Sequence, residues 1–281
     1  MSSPEQSQTR SHSEIPPAST RIWRLRGELT RKQYWFFALL GLLVPLLIWW
    51  LAARFGSVDP MFLPSPGAMV QGAIDWFKDD DLLGDAWISI VRVTLGFLAS
   101  AVIAMPLGLW IGTYAPIKAL FEPLTDLIRY MPAVAFVPLV MIWFGVEEGA
   151  KVAIIFIGTF FQMVLMFAED VRRVPMAQIE AAQTMGGRDG ETMYHVIFRS
   201  ALPAIMDTMR VTMGWAWTYL VVAELVAANS GLGFAILRSQ RFMQTDRIFA
   251  GIILIGLIGL ILDQLFRFAH RKQFPWLYKR P

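Results

Sequence analysis

Long apolar runs separated by short polar stretches dominate this chain from residue 33 onward. The first, residues 34–55, carries Tyr34 and Trp35 at one end and Trp49 and Trp50 toward the other. Such aromatics favour membrane–water interfaces. Further runs at 87–114, 149–169, 211–226 and 248–268 approach the ~20 apolar residues that a bilayer-spanning helix needs. Residues 115–146 differ, because Lys118, Glu122, Asp126 and Arg129 fall on one stripe at helical spacing. That stripe predicts an amphipathic segment leading into a shorter apolar run from Tyr130, punctuated by Pro132 and Pro138. Counting this segment, the pattern predicts six spans. Pro45, inside the first, predicts a kink at most.

The polar stretches are equally informative. Residues 1–20 form a Ser/Pro-containing tail without apolar periodicity, as expected of a disordered segment. The first apolar run starts too late and is too long for a cleavable signal peptide. Residues 56–86 are a polar interlude in which Leu63-Pro64-Ser65-Pro66 predicts a rigid turn and residues 68–77 a short amphipathic helix. Two domains follow: a cytoplasmic tail at 1–32 and a transmembrane body at 33–281, with an internal loop at about 170–205.

Composition narrows the class. Hydrophobic residues make up 56% and charged residues 17%, below the ~25% charged of soluble domains. Cysteine is absent, which excludes disulfides, thiolate metal sites and a cysteine nucleophile. The net charge of +3 matters less than its distribution. Arg10, Arg21, Arg24, Arg26, Arg31 and Lys32 precede the first span. With six spans, the same side receives Arg172, Arg173, Arg188, Arg199 and Arg210, and then Arg267, Arg271, Lys272, Lys279 and Arg280. The other side holds Lys78 against Asp59, Asp75, Asp79, Asp80, Asp81 and Asp85. The positive-inside rule therefore puts both termini and the 170–205 loop in the cytoplasm. Arg238, Arg241 and Arg247 dissent, falling outside, either as helix-flanking cations or as a docking surface.

Within the 170–205 loop, residues 176–185 are good helix formers, and Gly186-Gly187 stops that helix because glycine accepts the left-handed turn. Residues 188–198 can form a second short helix, and Pro203 stiffens the start of the fifth span. Ala181 and Ala182 offer a smooth surface for close approach, while Glu180 adds a charge able to fix register. The alternative is an ordinary solvated loop.

The segment Glu180-Ala181-Ala182, then three residues, then Gly186, with Leu202-Pro203 downstream, resembles the permease subunits of ATP-binding-cassette importers. One departure is Phe198-Arg199, where a Leu-Pro would follow Val196-Ile197. Leu63-Pro64-Ser65-Pro66, Trp143-Phe144-Gly145, residues 223–233 and Gln244-Thr245-Asp246 are similar to the nitrate/sulfonate/taurine branch. The resemblance implies an all-α, six-helix type I importer permease in the inner membrane, paired with a second copy of itself. Two cytoplasmic ATPases would bind the ATP and Mg, and a soluble binding protein would deliver the solute from outside. The solute is expected to be a small anion such as a sulfonate, nitrate, bicarbonate or carboxylate. Glu180, Ala181, Ala182, Gly186, Gly187, Leu202 and Pro203 would then form the ATPase-coupling region.

Polar groups inside spans are costly and face a cavity or another helix. Candidate pathway residues are Gln162, with its neighbour Met163, and Glu224. Gln162 suits an anion as a neutral group, or packs. Glu224 is a gate, or a carboxylate bonded to nearby backbone or Asn229. Arg92 and Arg129 read as snorkelling cations, and Trp215, Trp217 and Tyr219 as packing or interfacial aromatics. Arg238 and Arg241 are the candidates for binding-protein docking. His12, His195 and His270 lack metal-ligand spacing, and no phosphate-binding loop is present, so the reading is a non-enzyme without a metal site or cofactor of its own. A secondary transporter or channel is the alternative, although no internal repeat or ion-coupling groups appear. Membrane lipid is an expected partner; nucleic acid is not.

Overall fold

The computed structural model describes residues 29–56 and 58–278. The expected disordered tail, most of the N-terminal arginines, Ser57, Lys279 and Arg280 lie outside them. Contacts divide the chain at Gly56 into two units, each described by itself.

The first unit contains one helix, α1 (Arg31–Phe55). Thr30 begins it with a reciprocal cap: its hydroxyl accepts from the Gln33 amide, and the Gln33 side chain accepts from the Thr30 amide. This satisfies donors that a helix start otherwise leaves unpaired.

The second unit is also helical, with no strand among its described residues. Its α-helices are α2 (Pro66–Asp79), α3 (Leu82–Thr113), α4 (Ala115–Arg129), α5 (Val137–Phe144), α6 (Glu148–Arg172), α7 (Met176–Thr184), α8 (Asp189–Thr192), α9 (Arg199–Ala227), α10 (Leu232–Arg241) and α11 (Thr245–Gln273). The Leu63-Pro64-Ser65-Pro66 turn starts α2, since Ser65 caps the Ala68 amide and Pro66 occupies the first turn. There proline costs no hydrogen bond.

The centre of the unit is a parallel pair, α3 against α6. Gly96, Ser100, Ala104, Gly108 and Gly112 recur every four residues along α3. A Cβ at Gly96 would lie 2.7 Å from Ile155, one at Gly108 2.6 Å from Phe167, and one at Gly112 2.7 Å from the Ala168 carbonyl. The Ser100 and Thr159 hydroxyls meet at 2.8 Å in the same seam. Between helices in lipid, where no hydrophobic force drives association, such small residues allow the close van der Waals contact that does. Helix α9 returns antiparallel along α6, fixed near one end by the buried Thr208 hydroxyl, which donates to Asp170 at 2.6 Å. Helix α11 then lies antiparallel to α9, with His270 beside Pro203 and Arg210 beside Asp263.

Four helices, α1, α3, α6 and α11, are long and apolar enough to cross a membrane, and a fifth crossing is possible through α4 and Ala133–Phe144, which meet at 87°. Helix α9 does not reach that standard. Its buried face packs on α6 and carries Thr208, Thr212 and Glu224, and a helix sheltered by neighbours need not be apolar throughout. The expected second helix of the internal loop is also different in form. Residues 189–227 are continuously helical, with Met193–Phe198 widened into π geometry before Pro203. The departure at Phe198-Arg199 thus falls inside a helix rather than at a helix end.

Candidate functional site

Three regions of the second unit carry the sequence candidates. The first is α7. Gly186 has φ +88°; its amide donates to the Gln183 carbonyl and the Gly187 amide donates to the Ala182 carbonyl, both at 2.9 Å. This pair of bonds is a Schellman ending, which needs a left-handed residue at Gly186. Gly187 is needed for space, since a Cβ there would lie 2.9 Å from the Ala182 carbonyl. Ile179 packs toward the core, and the Ser200 hydroxyl donates to Gln178. Glu180, Ala181, Gln183 and Met185 are left exposed, Met185 at 82%. The result is a short helix held on one side and presented on the other. Leu202 and Pro203 lie in the first turn of α9, just after Ser200. His270, buried at the end of α11, donates from Nε2 to the Pro203 carbonyl (3.3 Å), and its Nδ1 is hydrogen-bonded with the Tyr278 hydroxyl (2.9 Å).

The second region surrounds Arg92, at the opposite ends of α3, α6 and α9. Arg92 is 1% exposed and Glu224 is fully buried, so snorkelling does not describe Arg92. Its Nε and Nη2 grip Glu148 bidentately at 2.6 and 2.7 Å. Nη1 donates to Glu224 at 2.8 Å and to the Ser230 carbonyl at 2.7 Å, and Nη2 also reaches the Ser230 hydroxyl. Every guanidinium N–H is used. Glu224 also accepts from the Ser89 hydroxyl and the Gly233 amide, while Lys151 donates to Glu148. Two cations face two carboxylates, and bonds of this number are what make a buried ion pair tolerable. The Asn229 alternative for Glu224 is not the arrangement found.

The same cluster explains Ser230-Gly231-Leu232-Gly233. Small residues alone would make this segment flexible, but here it is pinned: the Gly231 amide donates to Asp85, Leu232 to Ser89 and Gly233 to Glu224. Gly231 has φ +106°, and a Cβ there would collide with Glu224. The dissenting arginines find a local reason too. Arg238 and Arg247 both reach Asp80, at 3.0 and 2.6 Å, so nearby acid offsets them. Arg241 is exposed.

The third region is a cavity of about 370 Å³ between the α4–α5 break, α6 and α9. Gln162 lines it, as do Arg129, Phe161, Trp215 and Tyr219. Met163, one residue on, points the other way into the α3–α6 seam and is completely buried. A shift of one residue turns a helix by ~100°, enough to exchange one face for another. The two other pathway candidates, Met163 and Glu224, therefore stand apart from Gln162. Arg129 and Tyr219, read from the sequence as interfacial or packing groups, are the residues beside it. Among the described residues no His/Cys/Asp/Glu group is arranged to hold a metal.

Comparison with known proteins fits this geometry. Residues 104–274 match the family described as the binding-protein-dependent transport system inner membrane component. The chain belongs to that family. It is 32% identical over 240 residues to the taurine transport system permease protein TauC of Escherichia coli (strain K12), covering 84% of this chain and 87% of that one. It is 33% identical over 258 residues to the putative aliphatic sulfonates transport permease protein SsuC of Bacillus subtilis (strain 168), covering 92% and 94%. Among solved structures, the inward-facing MetNI methionine ABC transporter superposes with a TM-score of 0.58 at 18% identity, covering 79% of this chain and all of that chain. That likeness establishes a shared fold of the type I ABC permease kind. The protein is thus an inner-membrane permease subunit of an ABC importer. ATP hydrolysis belongs to a separate subunit, and a binding protein is a partner of the family.

Proposed function

We propose that this permease imports a small sulfonate-class anion by alternating access, as one half of a homodimer with six spans per chain and both termini in the cytoplasm. The substrate class follows the taurine and aliphatic-sulfonate names of its relatives. The observation that carries the coupling part is the exposed face of α7, ended by the Gly186 turn. In this reading the two ATPases close on ATP and grip Glu180, Ala181 and Ala182. Gly186 and Gly187 fix the angle of the helix, and Leu202-Pro203 passes the movement into α9. The permease needs only two packings whose balance the ATPases bias.

On the opposite side, Arg241 and the exposed part of Arg238 are the proposed contacts for the binding protein. Gln162 belongs to the pathway, whereas Met163 and Glu224 support it through packing. The domain division, a tail at 1–32 followed by the permease body with its coupling loop at 170–205, is part of the same proposal, as is lipid around the outer faces.

Uptake of radiolabelled taurine into vesicles carrying the full importer tests this reading. Uptake should require ATP and should fall severely in Gly186→Val while the permease stays in the membrane. Normal uptake in that variant would reject α7 as the coupling element. Topology is tested separately in this cysteine-free chain. Val58→Cys should react with an impermeant thiol reagent outside intact cells, and Ser200→Cys should not; the reverse pattern would overturn the orientation.

A further inference from the structure

The cavity beside Gln162 contains a cation that the coupling mechanism does not use. It lies ~21 Å along α6 from Glu148 and ~15 Å from Arg172, near the middle of the helix. Arg129 stands at the same place because α4 stops there: Tyr130, Met131 and Pro132 break the helix before Ala133, and the two halves meet at 87°. Irregular backbone at membrane depth is tolerated where it lines a cavity, and a broken helix is a recurrent way to build a solute site. An arginine at such depth is costly unless it serves a pathway or a partner.

Arg129 has a partner, but an incomplete one. Its Nε lies 3.3 Å from Asp126, and its Nη2 donates to the Tyr130 hydroxyl at 3.2 Å. Nη1 has no partner among the described residues, and the side chain is 34% exposed. The half-buried Gln162 amide likewise has no hydrogen-bond partner among them. Aromatic surface forms the walls. The Tyr219 ring lies flat on α6 at Gly158, where any Cβ would strike it, and Phe161 and Trp215 complete the apolar part. One free guanidinium edge, one free amide and an aromatic wall match a short molecule with an anionic head and a small tail.

We propose that this cavity is a binding station within the permease for a small organic sulfonate, with Arg129 Nη1 and the Gln162 amide on the sulfonate oxygens and the tail against Trp215 and Phe161. The proposal rests on the importer reading above and adds to it a specificity filter in the membrane. Asp126 acts as a competitor: it holds Arg129 in the absence of solute and keeps the affinity low, so that solute can leave.

The experiment uses the full-length permease purified with its ATPase subunits in detergent, with ethanesulfonate as the probe and methylammonium as the control of opposite charge. Binding is read as a ligand-dependent rise in thermal unfolding temperature. Ethanesulfonate should stabilise the wild type and methylammonium should not. Arg129→Gln should weaken ethanesulfonate roughly tenfold or more, the size expected for a lost charged hydrogen bond. Asp126→Asn should tighten it several-fold, which a purely structural ion pair would not do. Equal stabilisation by both ions, no response in the wild type, or unchanged affinity in both variants would overturn the site. If Arg129→Gln does not fold, Asp126→Asn and the ion preference of the wild type decide. A chain that fails to co-purify with ATPase subunits would instead overturn the importer reading, and this site with it.

Discussion

The Arg92 cluster and helix α7 lie toward opposite ends of the same helices and are built in opposite ways. Around Arg92 the ends of α3, α6 and α9 and the start of α10 are tied by charged hydrogen bonds, buried on the Glu224 side and part-buried on the Glu148 side, with each donor of the guanidinium engaged. Around Glu180 the backbone is set by two hydrogen bonds and a left-handed glycine, and most side chains meet solvent. The first arrangement resists any change of geometry, because moving one group strands another in a low-dielectric interior. The second presents a rigid small shape that a partner can hold. Coupling as proposed needs one end fixed in this way and the other available.

Breaking the fixed end should give the largest effect. Arg92→Leu leaves Glu224 buried without its cation and should destabilise the protein by about 3–5 kcal/mol, read as loss of monodisperse protein or a lowered unfolding temperature. The double variant Arg92→Met with Glu224→Met should recover part of that loss, because no buried charge is then stranded and Glu148 keeps Lys151. A double variant as unstable as Arg92→Leu would mean that shape, not charge, matters at this end.

Gly186→Val comes next. Forcing a β-branched residue to φ +88° costs about 1–2 kcal/mol, confined to the α7 ending. Global stability should change little, while stimulation of the ATPase by the permease collapses. Glu180→Lys should be milder for stability, within about 0.5 kcal/mol for an exposed site, and should weaken co-purification with the ATPase. If either variant lowers the unfolding temperature as much as Arg92→Leu, the two ends are not as different as their packing indicates.

The smallest effect is expected from Arg238→Glu with Arg241→Glu. Arg238 is shared with Asp80, so the loss falls mainly on charge steering by Arg241, which is screened over ~8–10 Å at physiological salt. Binding-protein association should slow at low ionic strength and little at high. A salt-independent change would point to disruption of the Asp80 contact instead.

Much of this molecule was legible in the chain. Apolar runs, the amphipathic stripe at 118–129 and the Gly186-Gly187 stop are local signals, governed by helical periodicity and by the conformations that glycine accepts. They located the other helices of the second unit but not α10 (Leu232–Arg241), and they marked α7 as a short helix ended by glycine. The four-residue repeat of small residues in α3 was also present in the sequence and would have marked the α6 partner face. What the sequence left open were the alternatives at single polar residues. Gln162 and Met163 are adjacent in the chain yet face a cavity and a sealed seam, and only the rotation of α6 against α3 decides which is which. For Glu224 both a gate and a satisfied carboxylate stay open in the sequence, because its partners Ser89 and Arg92 lie more than a hundred residues away. Arg129 read as an interfacial cation, and the break after it put it beside Gln162. Local pattern determines where a helix begins, ends and is apolar; which side chains share a dielectric environment is fixed by contacts between distant segments, and those only the tertiary structure supplied.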